Sequence, residues 1–260
     1  MKCCEIIEKL ESLSPTTFAE EWDNIGLLAG RRDKEVGTVC IALDATDDVI
    51  EEAVRMGADL LLTHHPLIFK KLSRVNTDDF IGRRVCELIK NDISYYAMHT
   101  NFDVMGMADA AADELSLKDR QVLNVTYEDD ISKEGCGRVG KLEKCMSIAE
   151  LAELVKEKFH VPNVRVFGDL GDIVETAAVM PGSGSGYIRD ALNAGADVMI
   201  TGDVDHHEGI DAVAQGIAVI DAGHYGIEKL FISYMEEFIK RELPGIQIYK
   251  AEIKEPFVVI

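Results

Sequence analysis

The sequence predicts an α/β fold, and three observations carry that prediction. Short apolar runs rich in Val, Ile and Leu alternate with segments of helical period. The 260 residues are 47% hydrophobic and 28% charged, a globular composition with enough chain for two cores. Finally, a helix–turn–strand stretch at 49–63 recurs 138 residues later at 187–201. The expected architecture is therefore two related α/β lobes per protomer, 1–126 and 127–260, with the metal site at strand ends between them. The final strand is a candidate to return to the first lobe.

From the N-terminus, Met1-Lys2-Cys3-Cys4-Glu5 leads into an acidic amphipathic segment rather than a signal-peptide core. The first lobe reads as strand 39–43, helix 47–56, strand 59–63, helix 80–90, strand 93–97 and a helix over 107–115. After a polar stretch from 128 to 135, helix 147–159 and strand 164–167 follow. The second lobe continues with strand 177–180, helix 187–194, strand 197–201, helix 207–215, strand 217–221 and helix 227–241. No linker is rich in Pro or Ser, so the lobes are expected to pack directly.

In both copies of the repeat, a helix leads to Gly-Ala-Asp (57–59 and 195–197), then three apolar residues and Thr63 or Thr201. The same shift lays the strand ending at Asp44 over the one ending near Gly182. A further strand leads to His99 in one copy and His224 in the other. Gly-Ala-Asp is also a common helix-to-strand turn, so chance supplies part of the match. Two related lobes remain the favoured reading, with polar residues at equivalent strand ends, where open α/β sheets place their sites.

Net charge is −20, from 27 basic and 47 acidic residues. Such a surface repels phosphate backbones and argues against nucleic-acid binding. It does not exclude a small phosphorylated substrate, because bound cations reverse the local field. The six cysteines form no Cys-x-x-Cys pair, and Cys40 and Cys86 sit in apolar segments as reduced, buried thiols. No apolar stretch approaches the roughly 18 residues of a membrane span. The expectation is a cytoplasmic protein without membrane association.

Three segments carry the chemistry. His64-His65-Pro66 ends an apolar strand. A lone histidine there reads as a capping or loop residue, but an adjacent pair is different. In extended geometry the two side chains diverge toward neighbouring metals, and Pro66 holds His65 extended. His99-Thr100-Asn101-Phe102-Asp103 follows the next strand, and Asp103 either ligates a metal or caps the following helix. His224 and Glu228 stand at i and i+4, sharing a helix face, though such a pair is often only solvated.

Together these segments offer imidazoles and carboxylates without thiolate, a set that suits Zn, Mn, Fe, Co or Ni rather than Ca. Five ligands, His64, His65, Asp103, His224 and Glu228, fit two ions only if a carboxylate or hydroxide bridges, and open positions of that kind serve hydrolytic two-metal sites. The Gly182-Ser183-Gly184-Ser185-Gly186 loop reads first as a tight turn and second as an anion cradle. Asp203, His206 and His207 occupy the place that His64 and His65 hold in the first copy. His207 is a candidate acid–base or supporting residue, His206 an exposed one, and His160 lies outside every motif.

These residues resemble the GTP cyclohydrolase I type 2 family, also described as Nif-three-like dinuclear metal centre hexameric proteins. The motifs are Glu21-Trp22-Asp23-Asn24-Ile25-Gly26-Leu27, Leu62-Thr63-His64-His65-Pro66-Leu67-Ile68, His99-Thr100-Asn101-Phe102-Asp103, Gly137-Arg138-Val139-Gly140, Gly182-Ser183-Gly184, Thr201-Gly202-Asp203, Asp221-Ala222-Gly223-His224-Tyr225-Gly226-Ile227-Glu228 and Glu255-Pro256-Phe257. They run in order across nearly the whole chain. The resemblance implies a two-lobed protomer, a toroidal homohexamer, and metal ligation by His64, His65, Asp103, His224 and Glu228. It also implies the short form, without an inserted domain.

Two function classes follow. In the first, the protein is a dinuclear-metal-dependent hydrolase that opens a purine nucleotide ring or cleaves a related nucleotide. His99 or His207 would shuttle protons. In the second, it is a non-catalytic metal scaffold, metallochaperone or regulatory protein. Two divalent cations per chain are expected in both.

Overall fold

In the computed structural model, which describes residues 1–258, the strands form two separate sheets. The first compact unit comprises Met1–Phe102 and Phe231–Lys254; the second comprises Asp103–Leu230 with the segment from Glu255. The chain thus leaves the first unit at residue 102 and re-enters it at 231. The expected boundary at 126 falls instead inside a strand of the second unit, Lys118–Glu128.

The first unit contains α1 (Cys3–Leu13), β1 (Gly26–Ala29), β2 (Thr38–Ala42), α2 (Asp47–Arg55), β3 (Leu60–Thr63), α3 (Phe80–Lys90), β4 (Ser94–Ala97) and the short α4 (Thr100–Phe102). The second contains a π-helical turn (Asp103–Met107), α5 (Ala108–Glu114), β5 (Lys118–Glu128), β6 (Lys133–Ser147), α6 (Ile148–Lys158), β7 (Arg165–Phe167), β8 (Ile173–Ser183), α7 (Ile188–Asn193), β9 (Val198–Gly202), α8 (His206–Ala214), β10 (Ala218–Asp221) and α9 (His224–Glu228). The chain then closes the first unit with α10 (Leu230–Glu242) and β11 (Gln247–Lys250).

The first sheet has the order β1-β4-β3-β2-β11, parallel except for β1. Helices cover a sheet of this kind on both faces, and all four residues of β3 are accordingly buried. This is why Leu60-Leu61-Leu62 reads as an unbroken apolar run. Thr46 caps α2 by accepting from the Val49 amide, and Ile50 and Ala53 form the helix's buried stripe. Asp79 caps α3 in the same way, above buried Val85 and Leu88.

The second sheet has the order β5-β6-β8-β9-β10-β7, in which β8, β9 and β10 are parallel. Its core joins Leu151 and Val155 of α6 to Ala177, Val179, Val198, Ile200 and Ile220. The Ser147/Glu150 capping box starts α6.

The repeat is structural. Each unit holds three parallel strands linked by helices, β2-β3-β4 or β8-β9-β10. In each triplet the last strand carries an antiparallel neighbour, β1 on β4 and β7 on β10. Asp59 Oδ2 accepts from the amides of Gly37 and Thr38 at 2.8 and 3.1 Å, and Asp197 Oδ2 accepts from Glu175 and Thr176 at 2.8 and 2.9 Å. These four partners also differ by 138 residues, so Gly-Ala-Asp ties each third-from-edge strand to its neighbour by the same device.

Three expectations change. The long hairpin β5–β6 lies partly in what reads as a polar stretch, because β5 is largely exposed and Gly135, Gly137 and Gly140 dilute the strand signal in β6. Helix 227–241 is two helices, broken at Lys229. The His64 and His65 rings do not diverge: β3 ends at Thr63, releasing both from the alternation of an extended strand, and their centroids lie 4.9 Å apart.

Candidate metal centre

The first unit gathers three imidazoles. His64 follows β3 and is wholly buried, His65 is half-buried, and His99 follows β4. The three can each present a ligand atom within 4.8 Å of the other two. Ring centroids of His64 and His99 are 5.2 Å apart, and those of His65 and His99 are 5.5 Å apart.

Each ring is oriented through Nδ1 by an oxygen. His64 Nδ1 lies 2.7 Å from the Met98 carbonyl, His65 Nδ1 lies 2.8 Å from Asp44 Oδ1, and His99 Nδ1 lies 2.9 Å from Asp23 Oδ2. A carbonyl or carboxylate only accepts, so Nδ1 carries a proton, and in the neutral imidazole the lone pair is then on Nε2. Metal-binding histidines are arranged in this way.

Asp23 also accepts from the Thr100 amide at 3.1 Å and from Thr100 Oγ1 at 2.6 Å. Burial would raise its pKa, but the His99 and Thr100 hydrogen bonds outweigh burial and hold it at about 2. Asp23 is thus a fixed carboxylate that holds His99 through Nδ1.

In the second unit, Gly223, whose φ of 78° turns the chain into the helix, precedes α9, which carries His224 and Glu228 one turn apart. His224 Nε2 is 2.9 Å from Glu228 Oε2, and His224 Nδ1 is 2.8 Å from Asp203 Oδ2. Burial works to lower the His224 pKa, yet the two carboxylates prevail and raise it to about 9. Asp103, at the start of the π-helical turn, and buried Glu228 present carboxylate oxygens within 4.8 Å of each other. Two carboxylates so close repel unless a cation or proton lies between them.

Two glycines make room for these groups. A Cβ on Gly182, where φ is 73°, would overlap Glu228 Oε1, and one on Gly202 would overlap the His224 backbone. Gly184 donates to Thr201 Oγ1 at 2.9 Å, so the glycine loop is tied down against β9 as a tight turn.

His207 joins neither cluster among the described residues. It is exposed on α8, with its ring 5.1 Å from that of His206. His160 is also exposed, and its carbonyl accepts from Lys229 at 3.0 Å. The orienting residues Asp44, Asp23 and Asp203 escaped individual assignment in the sequence. Their only signal was position, at strand ends or inside the Glu21-Trp22-Asp23-Asn24 motif. Among the described residues, no helix is long and apolar enough to cross a membrane.

Fold and donor set together define a two-unit α/β protein with groups of imidazole and carboxylate suited to divalent metal ions. Residues 1–256 match the Duf34/NIF3 (NGG1p interacting factor 3) family, and the chain belongs to that family. It is 38% identical, over the full length of both chains, to a GTP cyclohydrolase 1 type 2 homolog from Clostridium perfringens. Among solved structures it resembles a Bacillus cereus protein related to NIF3, at 27% identity and a TM-score of 0.91, covering 100% of this chain and 99% of that one. It also resembles reduced HcgD from Methanocaldococcus jannaschii, at 34% identity and a TM-score of 0.82, covering 96% and 97%.

Proposed function

We propose that this protein is a divalent-metal-dependent hydrolase of nucleotides, with His64, His65, Asp103, His224 and Glu228 as ligands of two cations per chain. The observation that carries this reading is the shared orientation of the first unit's histidines: all three present Nε2 while an oxygen holds Nδ1. The donor set of nitrogen and oxygen without sulfur favours Zn, Mn, Fe, Co or Ni. Cations held there supply Lewis acidity and a water whose pKa falls to about 7.

The chain's own residues account for the rest. Asp44 and the Met98 carbonyl keep His65 and His64 in the ligating tautomer. Asp203 fixes the orientation of the His224 ring through Nδ1, and Gly182 leaves the space that Glu228 fills. His99, held by Asp23, accepts a proton at Nε2 and returns it to the leaving nitrogen or oxygen. The names of the curated relatives favour purine ring opening as the reaction, and the family resemblance favours a homohexamer as the working assembly.

The test is reconstitution with each candidate metal, followed by elemental analysis, light scattering and turnover against a panel of nucleotides and phosphoesters. Two ions per chain, a hexamer and hydrolysis of a nucleotide are expected. Two bound ions without turnover of any panel member would overturn the hydrolase reading in favour of a metal scaffold. One ion or none would overturn the ligand assignment.

A further inference from the structure

Beside His99 the first unit exposes two aromatic rings that its core does not use. Trp22, the sole tryptophan, is 62% exposed, and Phe69 is 48% exposed. Both meet the same imidazole nearly edge-on: the Trp22 centroid is 6.0 Å from that of His99 at 75°, and Phe69 is 5.6 Å away at 83°. The loops that carry them are tied together, because Asn24 Nδ2 donates to the Ile68 carbonyl. Asp23, between Trp22 and Asn24, is pinned by His99 and Thr100. The loops that carry the rings are therefore held in place, yet about half or more of each residue remains in water.

We propose that Trp22 and Phe69 form a stacking platform that holds a planar heteroaromatic ring, such as a nucleobase, beside the histidines of the first unit. The inference deepens the hydrolase reading and rests on it for the identity of the ligand as a nucleotide. Exposed aromatic faces bind bases of any sequence because every base has a π-face, and stacking contributes independently of phosphate. In a chain of charge −20 this matters, since the surface as a whole repels polyphosphate. Lys70 and Lys71, exposed directly after Phe69, are a local exception to that charge.

Because Trp22 is the only tryptophan, its fluorescence reports on the platform without turnover. Metal-loaded and metal-stripped protein are titrated with guanosine, with GTP, and with tripolyphosphate and ribose 5-phosphate as probes that lack a base. Saturable quenching by guanosine and GTP, and none by the other two, is the expected result. Phe69→Leu should weaken guanosine binding by about tenfold, whereas Phe69→Tyr should retain it. Neither substitution should shift the melting temperature, because the ring is exposed.

Equal quenching by tripolyphosphate overturns the proposal, as does Phe69→Leu with an unchanged guanosine titration. A signal that changes with protein concentration but not with guanosine also overturns it, and assigns the patch to contact between copies. The outcome is separable from the hydrolase reading: guanosine binding without turnover sinks that reading alone, and turnover unaffected by Phe69→Leu or Trp22→Leu sinks the platform alone.

Discussion

At position 64 the first repeat carries a buried histidine, and 138 residues later the second carries Gly202. The strands before them are equivalent, both fully buried and both parallel to their neighbours. The difference is local. In the second unit the chain after β10 runs its backbone, at His224, into the space that a side chain at 202 would need. Its imidazole therefore comes from α9 instead of the strand. One position later, His65 of the first copy aligns in sequence with Asp203 of the second: a candidate ligand in one copy, and the carboxylate that orients a candidate ligand in the other. The two copies thus share their strand-tying residues, Asp59 and Asp197, and differ at the candidate ligand positions.

The comparison breaks most visibly at positions 65 and 203. On the proposed reading, His65→Ala should lower metal content and abolish any hydrolysis, whereas Asp203→Ala should lower metal affinity by about 10–100-fold, the usual cost of losing a residue that orients a ligand. Metal content by elemental analysis, with His160→Ala as a control that changes neither quantity, decides this. Equal losses at 65 and 203, or full occupancy in His65→Ala, would show that the two positions do not divide the roles.

The buried strands offer a gentler test of equivalence. Leu61→Ala in β3 and Met199→Ala in β9 each empty a fully buried position, and each should cost about 2–5 kcal/mol by denaturant unfolding with metal ligands intact. A loss confined to one unit would mean that the second core does not carry the same load. The smallest effect belongs to the shared carboxylates. Asp59→Ala and Asp197→Ala each leave two backbone amides without their acceptor, and each should cost about 1–3 kcal/mol. A twofold disparity between them would sharpen the comparison by showing how much water reaches each turn.

Much of this plan was legible in the sequence. The strands that are buried on both faces announced themselves as apolar runs, and the repeat followed from Gly-Ala-Asp at one spacing. The i, i+4 relation of His224 and Glu228 gave a contact that the structure contains. What stayed hidden depends on tertiary approach. β5 and β6 carry few buried apolar side chains at regular alternation, so no periodicity marked them. The break at Lys229 has no proline or glycine to signal it. Asp23 meets His99 across 76 residues of chain, a pairing that no local pattern encodes. His207 looked as promising as His99 because position in the motif order says nothing about which way α8 turns its side chains.

The path of the chain through the second unit gives its carboxylates a mechanical role as well. Asp103 is that unit's first residue, and Glu228 lies three residues before the chain returns to the first unit at 231. Their oxygens approach within 4.8 Å, so the entrance and exit of a segment of more than a hundred residues are neighbours. A cation shared by these two side chains would therefore be a staple across a long loop. It would act on the unfolded chain as a crosslink does, removing configurational freedom equivalent to about 5 kcal/mol for a loop of that length. Stripping the metal would then free both ends of the segment at once, and its melting would come apart from that of the sheet built on β3.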